Sequence, residues 1–252
     1  MSHPLPLTGE RTLPGVPGEE YWFARHEAAY RWVSAGLRER LQGSVVIEAG
    51  SGEGYGAQIL REAGARAVVA LEYDAAAAGH SGAAYPDVST ARANLAALPL
   101  ADGGADVVVT LQVVEHLWDL RGFLRDCARV LRPGGTLVVT TPNRPVFSPG
   151  LGRGERPTNP FHVEELDAEQ LEDLLEEAGF ADVVVHGLHH GPRIAQWESD
   201  QGTGIVAAQV TAVLAGAAPD GLADFVATVR ADDFVVSGHD RAQDLVAVAV
   251  RP

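Results

Sequence analysis

A carboxylate and an imidazole stand side by side at Glu115-His116, just after the β-branched run at 106–111 (DVVVTL). Such a pair can hold a divalent cation, although two ligands are too few for a site. A third group, His162, lies in Asn159-Pro160-Phe161-His162, within a Pro- and Gly-rich stretch that has no apolar stripe to explain it as packing. Glu115, His116 and His162 together make an open metal site, with water or substrate oxygens completing it; Mg2+, Mn2+ and Co2+ all suit this donor set. Glu165, His189 and His190 are further ligand candidates. The same residues allow metal-free chemistry, with His116 taking a proton from a hydroxyl and Glu115 orienting the ring. A third reading is that Glu115-His116 only caps a turn into a helix. The candidate catalytic residues are thus His116, Glu115 and His162, and the candidate metal ligands are the same three.

A second cluster is glycine-rich. Glu48-Ala49-Gly50-Ser51-Gly52-Glu53-Gly54-Tyr55-Gly56 follows the short strand pattern at 45–47 and opens a helical one. Glycines let a backbone turn sharply and approach a ligand, and the helix start offers N–H groups. Read from Gly52, the loop is a dinucleotide fingerprint. Read from Glu48, it resembles the E-x-G-x-G-x-G loop of class I S-adenosylmethionine-dependent methyltransferases. An acid at the end of the next strand, Glu72, fits both. Asn94-Leu95 before Leu98-Pro99, Asp106-Val107-Val108-Val109, Glu115-His116 and Leu131-Arg132-Pro133-Gly134-Gly135 follow in the order that the methyltransferase superfamily shows. The resemblance runs from about residue 21 to the end. It implies S-adenosylmethionine as cofactor, held by Glu48, Gly50, Gly52, Gly54, Glu72, Tyr73, Asn94, Leu95 and Gln112, with its methyl group facing the end of the fourth strand. Metal-dependent members carry Glu-x-x-Glu-His there; Gln112 stands in place of the first acid.

Five segments are similar to one actinobacterial group, the mycobacterial 1-O-methyltransferases of methylmannose polysaccharide synthesis. They begin at Gly9, Glu20, Glu115, Asn159 and Gly238. This resemblance implies O-methylation of a carbohydrate hydroxyl on a methylated mannoside. A quinol- or catechol-like acceptor is the alternative. A nicotinamide enzyme of the Tyr-x-x-x-Lys type is excluded because the chain has no lysine. A non-catalytic cofactor-binding protein is a further alternative, against which the intact loop and Glu72 speak.

The elements that must position these residues alternate between strand and helix, which predicts a mostly parallel sheet covered on both faces. Seven strands are expected, near 45–47, 67–71, 91–95, 106–111, 136–141, 181–186 and 245–250. The class is α/β, Rossmann-like. Residues 1–42 read as an N-terminal arm and helical cover, with a stripe of Trp22, His26, Tyr30, Val33 and Leu37 along 19–41. Residues 43–252 read as the methyltransferase domain, with an active-site loop at 143–167 that is too long for a plain connection. An insertion is expected at 188–244, between the last two strands.

Composition narrows the partners. Acidic residues number 34 against 19 basic ones, a net charge of −15 over 252 residues. Nucleic acid and anionic membrane are therefore not expected, and an oligosaccharide or other small molecule is. No apolar run reaches ~18 residues. The N-terminus reads as carrying no secretory signal, and one cysteine, Cys127, forms no disulfide framework, so the cytoplasm is the expected setting. A homodimer stays open. Trp22, Trp118 and Trp197 could stack on a sugar or pack in the core. His26 could line a pocket or pack; His186 reads as buried, His3 as a bystander and His80 as surface, and His239 either belongs to the family-like segment at Gly238 or sits in a structural hydrogen-bonded turn. Cys127 reads as a small packed residue.

Overall fold

The structure, a computed structural model, describes residues 11–252; the expectations for His3 and for the segment at Gly9 and Glu10 fall outside the described residues. Strands β1 (Val45–Ala49), β2 (Ala67–Glu72), β3 (Ser89–Arg92), β4 (Ala105–Leu111), β5 (Leu131–Pro142), β6 (Ala181–His190), β7 (Phe234–Gly238) and β8 (Asp244–Val250) form one sheet in the order β3-β2-β1-β4-β5-β8-β6-β7. The five strands from β3 to β5 are parallel neighbours. β8 pairs antiparallel with both β5 and β6, and β7 pairs antiparallel with β6. β1 and β4 are apolar almost throughout because helices cover both faces of a parallel sheet.

The sheet has eight strands rather than the expected seven. The extra one, β7, lies in the stretch read as an insertion. It is a short edge strand with Val235 and Ser237-Gly238 toward solvent, so it lacks a buried strand's pattern. β6 runs on to His190, and the excursion from the sheet starts at Gly191. β3 sits earlier than expected, at Ser89–Arg92, again on a largely exposed edge. β5 starts earlier, because Leu131 already pairs with Ala105 before Arg132–Gly135 bows out and pairing resumes at Thr136.

Alternate residues of each central strand face opposite layers. Val46, Val107, Val109 and Val138 pack under helices α1 (Glu20–Gly36), α2 (Arg38–Leu41) and α3 (Tyr55–Glu62). Helix α4 (Ala75–Ala84) follows β2. Ile47, Val108, Leu137 and Val139 pack under α5 (Leu120–Val130) and α7 (Ala168–Glu177), with the short α6 (Arg144–Phe147) between β5 and α7. Helices α8 (Pro192–Gln201), α9 (Ile205–Ala215) and α10 (Leu222–Val226) pack against the first turns of α1. No helix among the described residues is long and apolar enough to cross a membrane.

The expected single helix over 19–41 breaks at Leu37, and its buried stripe differs from the expected one. Tyr21, Ala24, Arg25 and Ala28 are buried along with Tyr30 and Val33. Arg25 is buried because Asp244, at the start of β8, meets it. Arg25 Nε donates to Asp244 Oδ2 at 2.6 Å, and Nη2 donates to Oδ1. The guanidinium lies 4.6 Å from the ring centre of Phe147. Removing one partner would strand a buried charge. Asp244→Ala should therefore cost about 3–5 kcal/mol of unfolding free energy in urea titrations; a loss under about 1 kcal/mol would show that the pair anchors nothing.

Candidate functional site

The loop between β1 and α3 needs glycine for three separate reasons. Gly50, at φ +84°, brings its backbone so close to Val113 that a Cβ would collide with it. Its N–H and that of Ser51 donate to Leu71 O at 2.8 and 3.1 Å, which ties the loop to the end of β2. Gly52, at φ +55°, faces open space, and its N–H donates to Glu72 Oε2 at 2.8 Å. Gly54, at φ +100°, is the N-cap of α3, and a Cβ there would strike Ser81 and Tyr85. The other oxygen of Glu72 accepts from Asp74 N at 2.8 Å.

These residues border a cavity of about 750 Å3 lined by Gly50, Gly52, Glu72, Tyr73, Asn94, Leu95 and Gln112, and by His116 on the far wall. The size lies within the ~300–1,000 Å3 typical of ligand pockets. The cradle fits a nucleoside: an acid fixed by two backbone N–H groups, an approachable glycine, apolar Leu95 and, at the wall, a buried Ser51 hydroxyl with no hydrogen-bond partner among the described residues. Gly54 and Glu48, both expected at the cofactor, lie behind this wall. Glu48 is fully buried and accepts from the Tyr30 hydroxyl at 2.5 Å. Burial pushes its pKa up to about 8.

Sequence reasoning missed Arg11, Thr12, Tyr30, Tyr55 and Phe161 at the cavity. The Thr12 hydroxyl bridges His26 Nδ1 and the Tyr55 hydroxyl, at 3.3 and 3.1 Å. His26 thereby lines the cavity, and burial, aided by Arg25, lowers its pKa to about 3, so its ring is neutral. Tyr30 read as part of the apolar stripe of the N-terminal helix, and Tyr55 was marked only by its place in the glycine loop.

On the opposite side, β4 is followed by a left-handed residue. Gln112 has φ +56°, which is costly for a side chain with a Cβ. Its N–H donates to Thr140 O at 2.9 Å, and its amide donates to Asp244 Oδ1 at 3.1 Å and Thr140 Oγ1 at 3.2 Å. The chain then turns through a 3-10 turn, Val114–His116. Glu115 is 2% exposed and accepts from the Thr141 hydroxyl at 3.1 Å. Burial raises its pKa, and the imidazoles of His116 and His162 pull it back. His116 Nδ1 donates to Phe161 O at 3.0 Å. His162 Nδ1 lies 2.8 Å from Glu165 Oε1, and the Asn159 amide lies 3.0 Å from His162 Nε2. Against the cost of burial, His162 holds the pKa of Glu165 low. The rings of His116 and His162 meet edge to face at 5.1 Å. One ligand atom from each of Glu115, His116 and His162 lies within 4.8 Å of the others.

The remaining candidates scatter. His190 sits between the Tyr21 hydroxyl and Glu198, at 2.7 and 3.2 Å. His189 bonds Gly238 O, His186 packs on Trp32, and His80 meets Glu53. Trp197 is buried and stacks on Phe225. Trp22 packs on Tyr21. Trp118 is 91% exposed at the cavity edge. Cys127 is buried, which raises its pKa.

A family model described as a methyltransferase domain matches residues 21–185. A Mycobacterium tuberculosis (strain H37Rv) protein named as a probable S-adenosylmethionine-dependent methyltransferase is 49% identical, over 98% of this chain and 90% of that protein. The human mitochondrial ubiquinone biosynthesis O-methyltransferase is 33% identical over 40% of this chain and 29% of that one. Among solved structures, a Thermotoga maritima S-adenosylmethionine-dependent methyltransferase, described as a possible histamine N-methyltransferase, aligns with a TM-score of 0.62. It is 18% identical and covers 92% of this chain and 94% of that one, a likeness of fold.

Two outcomes follow from the glycine-loop side. Glu72→Ala should weaken S-adenosylhomocysteine binding roughly tenfold or more in calorimetry, since charge-assisted hydrogen bonds are worth ~1.5–3 kcal/mol. Unchanged affinity would exclude Glu72 from the cofactor site. Glu48 holds its proton in the folded chain up to about pH 8 and loses it near pH 4.5 when unfolded. Its contribution to stability is present at low pH and is lost as pH rises between those values. In Glu48→Gln, denaturation between pH 5 and about 8 should show a smaller fall of stability than in the parent; identical slopes would refute the buried neutral carboxyl.

Proposed function

The chain belongs to the S-adenosylmethionine-dependent methyltransferases, and on that premise we propose that it methylates a carbohydrate hydroxyl, the 1-O position of a methylated mannoside in polysaccharide biosynthesis. The resemblance of the five segments noted above supports the acceptor class, and the mycobacterial relative supports the methyltransferase activity alone. The observation that carries the reading is the cluster of Glu115, His116 and His162, of which His116 lines the cavity that also presents the glycine cradle. S-adenosylmethionine, when bound, supplies an electrophilic methyl group.

The chain's own task on the acceptor side is to align a hydroxyl and remove its proton. In this proposal Glu115, His116 and His162 hold a divalent cation, with Mg2+, Mn2+ or Co2+ as candidates, and such an ion lowers the pKa of a hydroxyl beside it. Metal-binding histidines commonly give their second nitrogen to a carbonyl or carboxylate. His116 does so with Phe161 O and His162 with Glu165, which directs both Nε2 atoms to the ligand role. Bonds of ~2.1 Å place ligand atoms up to roughly 4.2 Å apart, so the 4.8 Å cluster needs a small contraction, with the Asn159 amide turning aside. A quinol-like acceptor is the second reading, and the partial match to ubiquinone O-methyltransferases supports it. A cytoplasmic setting belongs to the proposal, with Cys127 kept as a buried thiol.

The test is methyl transfer to mannosides, glucosides and catechols, each with and without chelator. Chelator should abolish activity with cofactor binding intact. Glu115→Ala and His162→Ala should each lower the rate roughly 100-fold, again with the cofactor bound. Full activity in excess chelator removes the cation and leaves His116 as proton acceptor. An active His116→Ala sinks both acceptor-side mechanisms, and transfer to catechols alone replaces the sugar.

A further inference from the structure

The sulfur of S-adenosylmethionine carries three branches: the adenosyl group, the methyl group and an amino-acid tail that ends in a carboxylate. The cavity has three walls. The glycine cradle with Glu72 and Leu95 suits the nucleoside, and His116 stands on the acceptor wall where the methyl group leaves. The third wall comes from the segment before α1, from α1 itself and from the start of α3. It presents Arg11, Thr12, His26 and Tyr55, and it is the wall left for the tail.

A carboxylate needs donors and a cation, and the other two walls oppose it. Glu53 and Glu72 border the cradle, and Asp119 stands on the acceptor side. Arg11 brings the single guanidinium that lines the cavity among the described residues. The neighbouring Arg25 does not compete, because two hydrogen bonds engage it with Asp244. The side chain of Arg11 is 13% exposed, and its Nη2 lies 3.6 Å from Asp74 Oδ1, a loose ion pair with a half-exposed acid. That oxygen already accepts from Ala77 N at 2.8 Å. Such pairs are weak, whereas a carboxylate inside the cavity offers the planar fork of arginine a two-bonded partner. Beside it the buried Thr12 hydroxyl lies 3.1 Å from the Tyr55 hydroxyl and 3.3 Å from His26 Nδ1. Burial raises the pKa of Tyr55 and, with Arg25, lowers that of His26 to about 3, so neither group brings a negative charge. Leu13 is buried, which pins the segment that carries Arg11 and Thr12.

We propose that Arg11 binds the carboxylate of the cofactor's amino-acid tail, with the Thr12 and Tyr55 hydroxyls as further donors, and that Arg11 leaves Asp74 to do so. The N-terminal arm is then part of the cofactor site as well as a cover. This rests on the methyltransferase premise and is independent of the acceptor's identity.

The experiment measures, by calorimetry, the Kd of S-adenosylhomocysteine and that of methylthioadenosine, which keeps the nucleoside and the sulfur but lacks the amino-acid tail. The parent should bind S-adenosylhomocysteine tighter by about tenfold or more, the scale of a charge-assisted contact. In Arg11→Ala that ratio should fall toward unity with methylthioadenosine affinity kept, which also reports an intact fold. Arg11→Lys should give an intermediate ratio, since lysine keeps the charge and loses the fork. Glu72→Ala should weaken both ligands alike and leave the ratio in place. Equal parent affinity for the two ligands, or an undiminished ratio in Arg11→Ala, overturns the tail site while leaving the cradle standing. Equal loss of both ligands in Arg11→Ala also overturns it, because Arg11 then serves the nucleoside or the fold. Binding of neither ligand by the parent removes the cofactor site and this inference with it.

Discussion

One carboxylate, Asp244 at the start of β8, sets the geometry of the acceptor side. It neutralises Arg25 from α1 and also accepts from the amide of Gln112. The first bond ties the N-terminal helix to the sheet. The second holds Gln112 at a positive φ that its side chain would otherwise disfavour. From that residue the chain leaves β4 and enters the turn bearing Glu115 and His116. The two residues before Asp244 serve the other border of the site: Asn143 donates from its amide to Ala242 O and from its backbone to Gln243 O. One short stretch thereby steers both the strand-borne pair and the loop that brings His162.

The glycine-loop half was legible because its chemistry is local. A strand, three glycines that need positive φ, and an acid 20 residues beyond Gly52 are all properties of contiguous sequence, and Glu72 does meet Gly52. The acceptor half was legible only in its residues. That Glu115 is covered by Thr141, or that His162 leans on Glu165, depends on where β5 and the following loop fall in space. Arg25 shows the limit most clearly. On a helix read alone it belongs to the solvent face, and the residue that buries it lies 219 positions away. Helix α4 escaped notice for a different reason: AAAAGHSGAA has no amphipathic period, and the readable signal was its cap, Asp74, which accepts from Ala77 N.

Charge is distributed so that the cavity has little positive potential of its own. Glu53, Glu72 and Asp119 line it against the single guanidinium of Arg11 among the described residues, and the half-buried imidazole of His26 on its arm side is neutral. Such a surround favours a cationic cofactor and tolerates a neutral acceptor. It would oppose a pyrophosphate, which the dinucleotide reading of the glycine loop requires. The absence of lysine from the whole chain points the same way.

The cluster of Glu115, His116 and His162 joins a turn on the sheet to a long loop, an arrangement that could leave the third member badly placed. Backbone hydrogen bonds resolve this. Val163 N donates to Glu115 O at 2.7 Å, and Phe161 O receives His116 Nδ1, so the residues on either side of His162 are each bonded to one member of the pair. Farther out, Arg144 grips Asp167 and Gln170 across the base of the loop. The separation of the imidazoles is therefore set by bonds between the loop and the turn, and the loop's tip at 149–158 can vary in sequence and shape without moving them. A site built this way can keep the geometry of its cluster while the groove around it changes to take different acceptors.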